Sequence, residues 1–132
     1  MSYALSTTLD APHEKVLAQT RVALAEQGFG VLTEIDVAAT LKTRLDVDVP
    51  PQVILGACRP ALAHQALEAD PSVGVLLPCN VVVRSLGAQQ TVVEALNPGV
   101  MMQVTDNPSL GAVAEEAHQR LDAALASLQP QE

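Results

Sequence analysis

Aromatic side chains are nearly missing from this sequence. Tryptophan is absent, and Phe29 and Tyr3 are the only phenylalanine and tyrosine. Hydrophobic residues still make up 48%, so the core has to be aliphatic, built from Leu, Val, Ile and Ala. The same shortage removes the stacking platforms used to bind single-stranded nucleic acid. Positive charge is scarce as well: 7 Lys and Arg stand against 15 Asp and Glu, a formal net charge of −8. Affinity for nucleic acid comes mainly from cations neutralising phosphates, and anionic membrane surfaces attract proteins in the same way. We therefore expect no nucleic-acid partner and no membrane partner.

No segment reaches the roughly 18 consecutive apolar residues of a membrane span. The opening Met1-Ser2-Tyr3-Ala4-Leu5 lacks the basic region and apolar run of a signal peptide, and a cytoplasmic location is expected. Two cysteines in a reducing compartment read as free thiols rather than a structural bridge. At 132 residues, the expectation is one domain over residues 1–132, with an ordered core over 1–128 and a tail over 129–132. A chain of this size buries enough surface to fold without disulfides or a structural metal.

Hydrophobic periodicity sets the order of elements. Ser2 to Leu9 reads as a strand. Asp10 and Pro12 then open a helix that runs to about Gln27, with Gly28 as its stop. Phe29 to Ile35 reads as a second strand, and Asp36 caps a short helix from Val37 to Leu45. Val53 to Cys58 is a strand, and Pro60 takes the first position of a helix that continues from Ala61 to Ala69. Val73 to Leu77 and Val81 to Leu86 are β-branched runs separated by Pro78-Cys79-Asn80, the pattern of a hairpin. Gln90 to Leu96 makes the last strand. Asn107 and Pro108 then open a helix whose stripe is Leu110, Val113, Ala114, Ala117, Leu121, Ala124, Leu125 and Leu128. The fold class is α+β: an antiparallel sheet with helices packed on one face.

Chemistry concentrates at Cys58, His64 and Cys79. Cys58 lies two residues before Pro60, beside a helix N-terminus whose amides favour a thiolate, and Arg59 adds a positive charge. His64 follows about one turn inside the helix. If the hairpin brings Cys79 to the strand of Cys58, two sulfurs and an imidazole converge, with Asn80 adjacent. Such a set suits zinc or copper(I), or a redox-active thiol pair. The competing reading makes both cysteines small core hydrophobes, because free Cys is among the most buried residue types.

Other constellations carry less. Glu115-Glu116-Ala117-His118 resembles half of a carboxylate di-iron site, but the matching half is missing. Glu34 and Asp36 share a strand face, with Asp36 better explained as a cap. No nucleophile elbow, P-loop or dinucleotide glycine fingerprint is present.

The segments Gly56-Ala57-Cys58-Arg59-Pro60, Ala61-Leu62-Ala63-His64-Gln65-Ala66-Leu67 and Gly74-Val75-Leu76-Leu77-Pro78-Cys79-Asn80-Val81-Val82-Val83 resemble the bacterial and archaeal "domain of unknown function 302" family. Gly28-Phe29-Gly30-Val31, Glu34-Ile35-Asp36-Val37 and Lys42 fit it too. The resemblance implies a curved antiparallel sheet carrying helices, similar to the TATA-binding-protein superfold. It implies no activity, and it sets Cys58 and Cys79 inside signature segments.

The leading expectation is a binding module, holding a small ligand or a soft metal at Cys58, His64, Cys79 and Asn80. A thiol-dependent enzyme or redox protein using Cys58, with His64 as base, is the first alternative. A structural or partner-binding domain with inert cysteines is the second. Exposed edge strands in a small sheet lead to the expectation of a homodimer.

Overall fold

The computed structural model describes residues 2–128; the tail expected at 129–132 lies outside the described residues. The strands are β1 (Ala4–Leu9), β2 (Gly30–Asp36), β3 (Gln52–Cys58), β4 (Cys79–Gly87) and β5 (Gln90–Leu96). The α-helices are α1 (His13–Glu26), α2 (Val37–Leu45), α3 (Pro60–Ala69), α4 (Gly99–Thr105) and α5 (Gly111–Ala126). All strand pairs are antiparallel, in the order β1-β5-β4-β3-β2. Among the described residues no helix is long and apolar enough to cross a membrane.

Alternation along the strands sorts side chains onto two faces. Leu55 lies opposite Val81, which lies opposite Ala95; Val53 and Val83 are matched in the same way to Val93. This face is buried, and α1 contributes Val16, Ala23 and Leu24 to its cover while α5 contributes Leu121, Ala124 and Leu125. Every residue of the stripe expected on the last helix is buried. The other face carries Val82, Arg84 and Glu94, all only partly buried.

A second, smaller core gathers Leu62, Ala66, Val73, Met101, Leu110, Val113, Ala114 and Ala117. It lies where α3, α4 and the first half of α5 meet. The fold thus has two apolar clusters, and the ends of β3 and β4 reach the junction between them.

The caps follow local chemistry, with one correction. The Asp36 carboxylate accepts from the Ala39 amide at 2.9 Å, as expected. Asn107 accepts from Ser109 and starts a short 3-10 turn, Pro108–Leu110, that leads into α5. Asp10 does not cap α1; Pro12 occupies the N-cap position and no side chain caps that end. At the other end Gly28 adopts φ +83°, and the Phe29 amide donates to the Leu24 carbonyl at 3.0 Å. That closure needs the left-handed conformation glycine adopts without a Cβ penalty.

The segment Val73 to Leu77 is not a strand. Residues Pro71–Leu76 form a 3-10 helix that starts at Pro71 and is capped by Asp70, whose carboxylate accepts from the Ser72 amide at 3.1 Å. Capping and proline overrode the β-branched valines, and Gly74 between them offers a strand nothing to pack. Pro78-Cys79-Asn80 is accordingly no hairpin turn. The Leu77–Pro78 peptide is cis, and Cys79 and Asn80 begin β4. The sheet therefore has five strands, not six, and its hairpin is the tight connection between β4 and β5. Helix α4 had no counterpart in the sequence reading. The short helix α2 buries none of its residues, including Leu45 on its expected apolar side.

Gly56 sits where β2, β3 and the Pro78 loop approach most closely. A Cβ there would lie 2.2 Å from Thr33 Oγ1 and 2.9 Å from Pro78 Cγ. Gly56→Ala is expected to destabilise the protein by about 1–3 kcal/mol, the usual cost of overpacking. Adding Thr33→Ala should recover part of that loss, because the two sites share one contact. Urea unfolding of the three variants tests this; an unchanged midpoint in Gly56→Ala would contradict the close approach.

Candidate functional site

Strand pairing places the two cysteines at neighbouring positions, and both residues border one cavity. Ala57 of β3 lies directly opposite Cys79 of β4, so Cys58 is one step from Cys79's partner. This neighbourhood was expected from a hairpin; it arises instead from a β3–β4 ladder whose connection runs through α3 and the 3-10 helix. Cys58 is half-buried and Cys79 buried, both as free thiols. Burial, and secondarily the Cys58 thiol beside it, pushes the Cys79 pKa from 9.0 up to about 11.

Both cysteines line a small cavity at the junction of the two cores, with Arg59, Leu77, Pro78 and Met101 also in its wall. Its volume is about 30 Å³. A water needs roughly 10–15 Å³ by this kind of measure, so the cavity has room for a water or a single ion. Organic ligands occupy pockets of roughly 300–1,000 Å³. An organic substrate does not fit between these thiols.

Arg59 gives the cavity its charge. Its Nη1 donates to Glu116 Oε2 at 3.2 Å, and the same oxygen accepts from Arg120 Nε at 3.0 Å. Its Nε is buried and has no hydrogen-bond partner among the described residues. Gly28 makes room for it, since a Cβ at residue 28 would lie 2.9 Å from that Nε. A buried N–H without an acceptor is costly, and Arg59 borders the same cavity as the two cysteines.

His64 is not part of this arrangement. Its side chain is exposed and its Nε2 lies 2.8 Å from Glu68 Oε1, one turn along α3. The first turn of α3 points Leu62 inward and leaves His64 on the solvent side. The three-ligand centre of Cys58, His64 and Cys79 is therefore not assembled. Among the described residues no group of three or more His, Cys, Asp or Glu side chains could hold a metal ion. Asn80 is separated too: the strand alternation turns it away from Cys79, and it lines a different cleft on the other side of the sheet.

Met101 is what sequence reasoning missed. Its thioether-bearing side chain is buried in α4 and lines the thiol cavity. The available signal was Met101-Met102, two of the three methionines in the chain, directly after Asn97-Pro98-Gly99. Glu115 and His118 border a shallow surface depression, while Glu116 holds Arg59 and Arg120. Glu34 forms an ion pair with Arg21, so neither carboxylate constellation builds an acid–base site.

Comparison with known proteins agrees with the fold. The sequence model described as "Domain of unknown function DUF302" matches residues 5–128. The crystal structure of an uncharacterized conserved DUF302 protein from Bacillus stearothermophilus is similar, with a TM-score of 0.87 and 26% identity over 96% of this chain and 98% of that one. No curated protein matches the chain.

The raised pKa of Cys79 links this site to stability. Because the folded value lies above the unfolded one, the folded state holds its proton more tightly. That contribution is present in full below about pH 9 and is lost as pH rises through about 11. Its size is about 2–3 kcal/mol, at 1.36 kcal/mol per pKa unit. Between pH 8 and 11, the wild type is expected to lose that much more stability than Cys79→Ala. Parallel denaturation profiles for the two proteins would contradict it.

Proposed function

We propose that this chain, which belongs to the DUF302 family, is a binding module that holds one copper(I) ion between Cys58, Cys79 and Met101. One observation carries the reading: three sulfur-bearing residues border a single apolar cavity large enough for an ion and too small for an organic ligand. Thiolate and thioether donors select copper(I). Zinc prefers four N, S or O ligands in a tetrahedron, and no further such donor joins the cysteines among the described residues. Copper(I) displaces both thiol protons, and the resulting bis-thiolate unit carries one net negative charge. The Arg59 guanidinium in the same wall offsets that charge and offers its free Nε–H to a thiolate. A reducing, cytoplasmic setting is part of the proposal, since both thiols have to stay reduced.

Anaerobic titration with copper(I) against a chromophoric chelator tests it. The expected result is one copper per chain, lost in Cys58→Ser and in Cys79→Ser. Met101→Leu should weaken binding roughly tenfold, the equivalent of about 1.4 kcal/mol. His64→Ala should change nothing. A folded protein that takes up no copper(I), or an affinity indifferent to all three sulfurs, would overturn the proposal.

The shared cavity favours a second reading, reversible dithiol chemistry, because Cys58 and Cys79 both border it. Oxidation would form one S–S bond and release two protons and two electrons to a small-molecule disulfide, itself reduced to two thiols. The buried, high-pKa Cys79 is a poor nucleophile, so Cys58 would be the attacking thiol.

The proposal extends to a homodimer. The edge strand β2 and the unburied helix α2 leave Leu32, Ile35 and Leu45 exposed. The patch carries both Lys42 and Arg44 and the acidic Glu34, Asp46 and Asp48, the mixture of signs that a self-complementary two-fold contact uses. Light scattering should give the dimer mass at micromolar concentration, and Ile35→Lys with Leu45→Lys should give the monomer. A monomer mass for the wild type throughout that range would remove this part.

A further inference from the structure

We infer that the open face of the sheet carries a second site, free of the two thiols although Leu77, Pro78 and Met101 border both cavities, for a small apolar molecule bearing an ammonium group. A cleft of about 500 Å³ lies where β4 and β5 run beneath the Leu77-Pro78 segment and α4. That volume is in the range of sites for small organic ligands, more than ten times that of the thiol cavity. Val82, Leu96, Pro78 and Val100 supply apolar walls, and such walls take up the body of a ligand by removing its surface from water.

Charge identifies the other end of the occupant. Glu94 is the only ionic side chain in the wall among the described residues, and no cation lines the cleft with it. Arg84 Nε donates to Glu94 Oε1 at 2.9 Å, but Arg84 lies outside the wall, and among the described residues Oε2 has no hydrogen-bond or ion-pair partner. Glu94 is about one-third exposed, enough to meet a ligand and shielded enough for the contact to matter. Tyr3 is in the wall and 76% exposed, and an aromatic ring attracts cations over its face. A chain of net charge −8 draws cations toward it and repels carboxylates. The polar groups thus favour an ammonium, and Asn80 adds one amide able to donate or accept.

The test uses the full chain, labelled with ¹⁵N, and two probes of matched shape: phenethylamine and phenylacetate. Phenethylamine is expected to shift the amide signals of Asn80, Val82 and Leu96 saturably, with phenylacetate at least about tenfold weaker. Glu94→Gln should weaken the amine by about tenfold, the value of a hydrogen bond to a charged group. Val100→Trp should abolish binding by filling the cleft while the charge stays. Cys58→Ser with Cys79→Ser should leave amine binding unchanged, which separates this site from the copper proposal. Equal affinity for the two probes, shifts elsewhere in the chain, or no shifts would each overturn the inference. So would cleft signals that move with protein concentration alone, since a second copy would then occupy the face.

Discussion

The pairing of β3 with β4 is the constraint on which the rest of the molecule depends. It is one of the two inner ladders of a five-stranded sheet, and it joins the half of the chain containing β2 and α2 to the half containing β4 and β5. Its register sets Leu55 against Val81, Val53 against Val83 and Ala57 against Cys79, all in the main core. A slip of one residue would turn every one of these side chains to the opposite face. Gly56 allows the ladder to lie under Thr33 and Pro78 without steric conflict. Both proposed sites follow from this ladder, since the inward and outward positions at the start of β4 are Cys79 and Asn80.

Much of this was legible in the sequence, and the physical reasons are specific. The stripe from Leu110 to Leu128 repeats at helical spacing over five turns, and all of it is buried. Pro60 and Asp36 mark helix starts because their backbone and side-chain chemistry has few alternatives. The Val73-Gly74-Val75 segment misled because strand propensity depends on packing that the sequence does not display. Val73 packs into the second core while Val75 is 88% exposed, a split that no strand face required. Helix α4 is only seven residues long, too short for its periodicity to stand out.

The candidate site was half legible. Cys58 and Cys79 lie in signature segments and do border one cavity, at the paired ends of β3 and β4 rather than across a hairpin. His64 looked like a third ligand because it follows Cys58 by six residues; helix rotation puts it beside Glu68 in solvent instead. Met101 comes from 43 residues beyond Cys58, and only tertiary packing of α4 against the second core delivers it to the cavity. The exchange of an imidazole for a thioether alters the chemistry. It removes the donor that would suit zinc and leaves a set of sulfurs only, with the Arg59 cation beside them.

The central claim is that these three sulfurs surround one ion, and the most direct measurement is X-ray absorption at the copper edge on protein loaded with copper(I). A first shell made of sulfur alone, with three scatterers in the wild type and two in Met101→Leu, is the predicted result. Nitrogen or oxygen scatterers in that shell, or a spectrum unchanged by Met101→Leu, would contradict the account.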